Sequence, residues 1–326
     1  MSQPLLEVNR LRVEFPTRRG TLLALDDVSF SIAPGEILGV VGESGAGKSL
    51  TGASIIGLLE PPGRIAAGEI RLEGERIDNL PPERMRTVRG RRIGAIFQDP
   101  LTSLNPLYTV GRQLVETIQT HLPIDGAQAR ARAVALLKET GIPAAEQRFD
   151  HYPHQFSGGM RQRVVIALAL AAEPKLIVAD EPTTALDVSI QAQIISLLKR
   201  LTRQHGAAVM LVTHDMGVIA EASDRVAVMY AGRIVEVGPV QQVIHRPSHP
   251  YTVGLMGSIP SMRATHDRLL QIDGAMPRLN AIPPGCAFHP RCPRVFDRCR
   301  RERPDLMLAE ATQAACWLVE DRGGAR

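Results

Sequence analysis

The chain has 326 residues, of which 44% are hydrophobic and 22% are charged, a balance typical of soluble globular proteins. This length allows one large domain and a smaller one, and the composition excludes a chain that is disordered throughout. Basic residues exceed acidic ones by only four, too small an excess to identify a nucleic-acid-binding protein.

The sequence contains no candidate membrane span and no export signal. Its longest apolar run is the nine residues Val164–Ala172, whereas a membrane-spanning helix needs about 20. The first residues have neither the basic nor the apolar region of a signal peptide. We therefore expect a cytosolic chain, in which the four cysteines stay reduced rather than forming disulfides.

Hydrophobic periodicity predicts an α/β protein. Alternating residues indicate half-buried antiparallel strands at 5–15 and 26–32, and a nearly continuous apolar stretch at 36–41 indicates a strand buried on both faces. Further buried strands are predicted at 176–179, 209–213 and 225–229, and helices within 107–137 and at 161–172. Because strands alternate with helices, we predict a largely parallel core that carries a helical insertion.

The composition changes after about residue 240, where Pro, His, Arg and Cys become more frequent. We therefore predict a large domain over 1–245, with a helical subdomain at about 100–165, and a small C-terminal domain over 246–326 that contains the cysteines. There is no internal repeat, so each motif described below occurs once.

The strongest motif is a glycine-rich loop between the predicted strand at 36–41 and a helix. It matches G-x-x-x-x-G-K-S and consists of Gly42, Glu43, Ser44, Gly45, Ala46, Gly47, Lys48 and Ser49. Glycines let the backbone N–H groups turn toward phosphates, while Lys48 reaches the β- and γ-phosphates and the Ser49 hydroxyl ligates Mg²⁺. The loop predicts a nucleotide site.

Acidic and polar residues follow two other predicted strands. Asp180 and Glu181 end the strand at 176–179; the first acid holds the Mg²⁺ shell in phosphate-loop enzymes, and the second can accept a proton from the attacking water. His214 follows the next strand, where ligands of open α/β sheets bind, and we expect it to hold the γ-phosphate. Ser157, Gly158 and Gly159 begin a helix and form either a second anion site or a simple serine cap.

Taken in order, these motifs resemble the ATP-binding subunit of an ATP-binding cassette (ABC) transporter. The resemblance implies that Gln98 senses Mg²⁺ and the attacking water, and that Phe15 stacks on adenine. It also implies that residues 157–159 form a signature motif that contacts ATP on another subunit, and that Asp187 lies at the dimer seam. Three positions depart conservatively from the family pattern, namely Phe15, Phe156 and Thr184, so we expect an active ATPase.

Because each motif occurs once, hydrolysis is expected to need two chains face to face. Only 58 residues separate Gln98 from Ser157, too few for the coiled coils of chromosome-organising relatives, so we favour transport. The alternative is a soluble, non-transport ABC ATPase that binds nucleic acid through its basic tail, and we expect no nucleic acid partner. The arginines of that tail are Arg291, Arg294, Arg298, Arg300, Arg301 and Arg303.

Other short segments resemble the oligopeptide, dipeptide and nickel importer subfamily. They are residues 152–155, 160–163, 249–252, 274–277 and 284–293. The resemblance implies an ATPase subunit on the cytoplasmic face of the inner membrane that works with a second ATPase subunit, two permeases and an extracytoplasmic binding protein. The cargo is left open between peptides, nickel, glutathione and antimicrobial peptides, and the second ATPase is either a copy or a relative.

The four cysteines, Cys286, Cys292, Cys299 and Cys316, fit no common zinc-ribbon or ferredoxin spacing. Spacing alone leaves structural zinc, an iron–sulfur cluster and free thiols equally open. The importer resemblance shifts the expectation toward a four-cysteine 4Fe-4S cluster, in addition to ATP and Mg²⁺.

Overall fold

A computed structural model of the protein describes residues 3–184, 186–258 and 271–323, so that Ala185, next to the predicted seam residues, lies outside the described residues. The chain forms two compact units. Unit 1 comprises Met1–Leu6, Ile32–Glu36 and Arg71–Val212, and unit 2 comprises Glu7–Ser31, Ile37–Ile70 and Thr213–Arg326.

Unit 1 combines four short strands with a group of helices. Its strands are β5 (Glu75–Arg76), β6 (Ile93–Ile96), β7 (Leu176–Asp180) and β8 (Ala208–Val212). Its helices are α2 (Pro82–Val88), α3 (Pro100–Ser103), α4 (Val110–His121), α5 (Gly126–Glu139), α6 (Ala145–Arg148), a 3-10 turn (Pro153–Gln155), α7 (Gly158–Leu170) and α8 (Val188–His205).

Three strands of unit 1, β6, β7 and β8, form a parallel core with side chains buried on both faces, and β5 lies outside it. β6 pairs with β7 through Ile93↔Leu176, and β7 pairs with β8 through Leu176↔Ala208. All four residues before Asp180 in β7 are buried, and so is the whole of β8. Every regular element between β6 and β7 is helical, which is the insertion expected from the sequence.

Unit 2 contains most of the other strands. They are β1 (Leu6–Thr17), β2 (Gly20–Ile32), β3 (Ile37–Val41), β4 (Arg64–Leu72), β9 (Arg225–Tyr230), β10 (Arg233–Pro239), β11 (Met307–Ala309) and β12 (Thr312–Ala314), although the ends of β1, β2 and β4 belong to unit 1. The helices are α1 (Lys48–Ile55), α9 (Met216–Ala222), α10 (Val240–His245), α11 (Pro250–Gly257), a 3-10 turn (His289–Arg291), α12 (Asp297–Arg301) and α13 (Trp317–Gly323).

Two sheets organise unit 2. In one, β1 lies between β2 and β4. In the other, β3 pairs in parallel with β9 through Val41↔Val228, and β9 continues antiparallel into β10. The predicted strands at 5–15, 26–32, 36–41 and 225–229 are confirmed as β1, β2, β3 and β9. The phosphate loop therefore leaves a fully buried strand, whose five residues are all apolar or glycine.

A separate small C-terminal domain is not supported. The hairpin of β11 and β12 extends the sheet of β9 and β10, because Glu236 and Val237 of β10 pair with Ala314 and Gln313 of β12. The segment after residue 240 differs from the rest of the chain in composition. Its two strands nevertheless extend an existing sheet and do not form a sheet of their own. The domain boundary at residue 245 stays a prediction.

Candidate functional site

The glycine-rich loop turns from β3 into α1 with three glycines in left-handed or otherwise positive-φ conformations. Gly42 has φ +153°, and a Cβ atom there would lie 2.2 Å from the backbone oxygen of Met229. Gly47, with φ +103°, caps α1 without a side chain, so the first N–H groups of the helix are left to the loop. Only glycine fits this path.

Lys48 lies over its own loop. Its Nζ donates hydrogen bonds to the carbonyl oxygens of Gly42, at 2.8 Å, and Glu43, at 3.1 Å, and only 6% of the residue is exposed. The backbone carbonyl groups of the loop therefore hold the ammonium group of Lys48 inside the curve of the loop. Ser49 follows as the second residue of α1.

The backbone and the side chain of Glu181 are both held by neighbouring residues of unit 1. Glu181 follows Asp180 at the end of β7 with φ +46°, a strained conformation for a residue other than glycine. Its N–H donates to Val212 O at 2.8 Å. Its Oε2 accepts from Gln98 Nε2 at 3.1 Å and from Thr184 Oγ1 at 2.7 Å. The carboxylate is thus oriented by two donors, as a proton acceptor for a positioned water requires.

Two helix N-termini of unit 1 carry the predicted subunit-contact residues. Ser157 caps α7 by accepting from Met160 N–H at 3.4 Å, and Asp187 caps α8 by accepting from Ile190 N–H at 3.0 Å. Hydrogen bonds from Ile190 and Ser189 lower the pKa of Asp187. Gly159 brings these helices together, since a Cβ atom there would lie 2.8 Å from Ile190 Cγ2.

Phe15 and His214 both lie in unit 2. Phe15 is on β1 and is part-buried beside Gly63, where an added Cβ would lie 2.7 Å from the ring. His214 is exposed between β8 and α9, whose N-terminus is capped by Asp215. Their contacts with adenine and the γ-phosphate stay predictions.

Sequence reasoning missed three contacts of these site residues. Thr184 appeared only as a departure from the family pattern, although its hydroxyl donates to Glu181. Tyr251 and Arg291 both contact Glu43 of the phosphate loop, through its N–H at 2.9 Å and its Oε2 at 3.0 Å. Both lie in segments noted for family resemblance, but nothing in a sequence indicates contacts across more than 200 residues.

The four cysteines are free thiols that line one small cavity. Burial raises the pKa of Cys286 and of Cys316 to about 11, and it also raises the pKa of Cys292. Within the described residues, however, no three His, Cys, Asp or Glu side chains are grouped so that they could hold a metal ion. The described residues therefore show no formed metal site at the predicted iron–sulfur position, although the four thiols face a common space.

No helix in the described part of the chain combines the length and the apolar character needed to cross a bilayer.

The phosphate loop on a buried strand, with an acidic pair ending a second one, defines the class as a phosphate-loop ATPase. Residues 25–184 match the family described as "ABC transporter", and residues 235–299 match "Oligopeptide/dipeptide transporter, C-terminal region". The chain belongs to the ABC transporter family and is an ABC-type ATPase, related to the ATP-binding proteins of dipeptide and oligopeptide transport.

Relatives match almost the whole chain. The dipeptide transport ATP-binding protein DppD of Escherichia coli is 45% identical over 321 residues, which cover 98% of each chain. The oligopeptide transport ATP-binding protein AppD of Bacillus subtilis has the same identity and coverage. The oligopeptide transport ATP-binding protein OppD of Salmonella typhimurium is 46% identical over 96% of this chain and 93% of its own.

Solved structures match a shorter part. The ATP-binding cassette MJ0796, in a dimeric post-hydrolysis state bound to ADP and Pi, aligns with a TM-score of 0.65 at 30% identity. The alignment covers 72% of this chain and 98% of that one. The cassette fold is therefore shared, and the rest of this chain goes beyond it.

Proposed function

We propose that this chain is the ATP-hydrolysing subunit that powers the import of dipeptides or oligopeptides through a membrane transporter. The observation that carries the proposal is the 45% identity to a dipeptide transport ATP-binding protein over 98% of both chains. The match of residues 235–299 to the C-terminal region of oligopeptide and dipeptide transporters supports the same cargo class. Nothing in these relatives favours the nucleic-acid alternative.

The proposed assembly is peripheral to the cytoplasmic face of the inner membrane. It contains a second ATP-binding subunit, two permease subunits and an extracytoplasmic binding protein that selects the cargo. The single copy of each motif supports a second cassette, because the phosphate loop and residues 157–159 are expected to meet on one ATP only across two subunits.

The proposed reaction is the in-line attack of water on the γ-phosphate of ATP. Lys48 and the N–H groups of the loop bind the phosphates and offset their charge. Glu181 accepts the proton of the attacking water, and Gln98 orients the carboxylate through the 3.1 Å hydrogen bond. His214 binds the γ-phosphate, and residues 157–159 of the second cassette complete the site.

Mg²⁺ suits the oxygen donors in these motifs. Ser49, Asp180 and Gln98 would hold the ion with hydroxyl, carboxylate and amide oxygens, the hard ligands that Mg²⁺ prefers. When bound, the ion neutralises charge on the β- and γ-phosphates.

The four cysteines are proposed as ligands of a 4Fe-4S cluster. Support comes from the donor set itself, four thiols lining one cavity, and from Arg294 in the same lining, whose charge would offset that of a cluster. A single zinc ion is disfavoured, since four thiolates at about 2.3 Å from one ion must converge. Anaerobic purification followed by iron and sulfide analysis tests this proposal, and an iron-free, colourless protein would contradict it.

Peptide import is tested by uptake of a labelled dipeptide into cells whose importer depends on this chain. We expect Glu181→Gln to abolish uptake, while uptake of an amino acid by an unrelated carrier stays unchanged. A tagged chain recovered from gently solubilised membranes should bring two permeases and a second ATP-binding subunit. Recovery of nucleic-acid-associated proteins alone would overturn the transport proposal.

A further inference from the structure

Two residues of the segment after residue 245 contact the phosphate loop. Glu43, the second residue of the loop, is held by Arg291 and Tyr251, and these two residues with Tyr230 are called the loop brace below. Arg291 Nη1 donates to Glu43 Oε2 at 3.0 Å, and the Glu43 N–H donates to Tyr251 Oη at 2.9 Å. Both the side chain and the backbone of one loop residue are therefore held by the brace.

The guanidinium group of Arg291 also donates hydrogen bonds to three other residues. Nε donates to Asp273 O at 2.9 Å, Nη2 donates to Ile272 O at 3.3 Å, and Nη1 also lies 3.5 Å from Tyr230 Oη. Only 7% of its side chain is exposed, against 29% for Glu43. A planar guanidinium with this many partners has one geometry, so it fixes the Glu43 carboxylate relative to the chain at 272–273.

The aromatic part of the brace is packed into the core of unit 2. The Tyr251 ring lies 4.7 Å from Tyr230 and 5.4 Å from Phe288, centre to centre, and Tyr251 is fully buried. Burial raises the pKa of Tyr251, so its hydroxyl stays neutral at physiological pH. Phe288 follows Cys286 by two residues, and Arg291 directly precedes Cys292. The brace is thus built on the segment that bears the thiols.

A phosphate loop works through the direction of its N–H groups and through its positive charge. Glu43 adds a carboxylate to this loop, where MgATP brings further negative charge. Arg291 neutralises that carboxylate and holds it, while Tyr251 holds the N–H of the same residue turned toward the core. Without Arg291 the carboxylate would be unpaired beside the triphosphate.

We propose that Arg291 and Tyr251 are positioning residues of the ATP site, and that the C-terminal segment sets the affinity for MgATP through Glu43. This role goes beyond peptide import, since it concerns nucleotide binding by the chain whatever its cargo is.

The test measures MgATP binding by titration calorimetry and steady-state hydrolysis with the full-length chain. We expect Arg291→Ala to raise the Kd and KM for MgATP about tenfold, the effect of losing a charge-assisted hydrogen bond, while kcat changes less than about twofold. Arg291→Lys keeps the positive charge but loses the planar set of guanidinium donors. Its Kd should therefore lie between those of the wild type and Arg291→Ala.

The double variant separates positioning from general loosening. If the unpaired carboxylate causes the loss, Arg291→Ala with Glu43→Gln should bind MgATP at least about threefold more tightly than Arg291→Ala alone. Arg298→Ala is the matched control: Arg298 donates to Glu302 at 2.8 Å and stacks at 3.5 Å on Trp317, away from the loop. Its Kd should equal that of the wild type.

The proposal is overturned if Arg291→Ala binds MgATP like the wild type, if Arg298→Ala weakens binding equally, or if the double variant shows no recovery. If Arg291→Ala fails to fold, Arg291→Lys decides: an unchanged Kd contradicts the proposal. Failure of peptide uptake would leave all these binding results unchanged, so the two proposals are judged separately.

Discussion

At the residue scale, the carboxylate of Glu181 depends on its neighbours for its direction. The positive φ of Glu181 and the hydrogen bonds from Gln98 and Thr184 place one oxygen between two donors. Strain of this kind persists only where surrounding contacts hold it. Thr184, one of the three positions that depart from the family pattern, is thereby part of the support for the proposed proton acceptor.

Thr184→Val should lower kcat about tenfold with little change in KM, because one of the two donors to Glu181 is lost while the phosphate loop is untouched. Steady-state hydrolysis over a range of MgATP concentrations measures both values. Thr184→Ser keeps the hydroxyl and is the matched comparison. Equal kcat values for the valine and serine variants would show that the 2.7 Å contact does not support catalysis.

At the element scale, α7 and α8 approach each other at a glycine. A Cβ at Gly159 would lie 2.8 Å from Ile190 Cγ2, whereas one at Gly158 would lie 3.6 Å from Leu186 Cδ2, an ordinary contact. Packing of the two helices therefore requires glycine at position 159. At position 158 the same packing would accept a larger side chain such as alanine.

We predict that Gly159→Ala costs about 1–2 kcal/mol of unfolding free energy, since the methyl group must displace a β-branched side chain. Gly158→Ala should change the unfolding free energy by less than about 0.5 kcal/mol. Urea unfolding of the nucleotide-free chain measures both. A Gly158→Ala variant destabilised as much as Gly159→Ala would contradict the packing argument.

The start of α11 contains a buried titratable group. His249 is 1% exposed, and its Nδ1 accepts from the N–H of Tyr251 at 3.0 Å, which makes it the cap of the helix. Burial lowers the pKa of His249 to about 3 from an ordinary 6.5. Below pH 6.5 the unfolded chain binds a proton that the folded chain does not, so His249 lowers stability as the pH falls toward 3.

His249→Asn keeps a capping acceptor and cannot titrate in this range. We expect the loss of unfolding free energy between pH 7.5 and pH 5 to be about 2 kcal/mol smaller in this variant than in the wild type. Urea midpoints at the two pH values give the difference. Parallel pH dependence in both proteins would mean that His249 is protonated in the folded chain.

At the scale of the whole molecule, one chain carries one copy of each ATP-site motif. We predict that Glu181→Gln binds MgATP, hydrolyses it orders of magnitude more slowly and accumulates as a dimer of twice 35.5 kDa in light scattering. Adding Ser157→Arg should abolish the dimer and leave MgATP binding intact. A particle that remains monomeric under saturating MgATP would contradict the face-to-face arrangement.

Local motifs made much of the fold and of the site predictable. The phosphate loop, Asp180 with Glu181 and the cap at Ser157 are each made of residues close in sequence. Buried strands such as β3 and β7 have a nearly continuous apolar pattern. The hairpin of β11 and β12 was missed because each strand has three residues and because β12, with which β11 pairs, is itself paired with the distant β10. The four-residue β6 was missed because it is short and pairs with β7, about 80 residues later in the chain.

Contacts between remote segments were beyond sequence reasoning. Arg291 and Glu43 are 248 positions apart, and neither residue type nor spacing indicates that they pair. The cysteines show the reverse case, in which a suggestive set of residues lines one cavity without the convergence that a single metal ion needs. Residues of the proposed ATP site could thus be predicted from the sequence, whereas the remote residues that hold them in place could not.

The pairing of β3 with β9 has a consequence for synthesis on the ribosome. The N–H of Ile37, at the start of β3, donates to the side chain of Asp224, which is made 187 residues later. Until then β3, whose five residues are all buried in the folded chain, lacks this partner edge, and exposed strand edges of nascent chains promote aggregation. The segment proposed to bind ATP is therefore among the first made and among the last completed, so a chain whose synthesis stops early would have an incomplete nucleotide site.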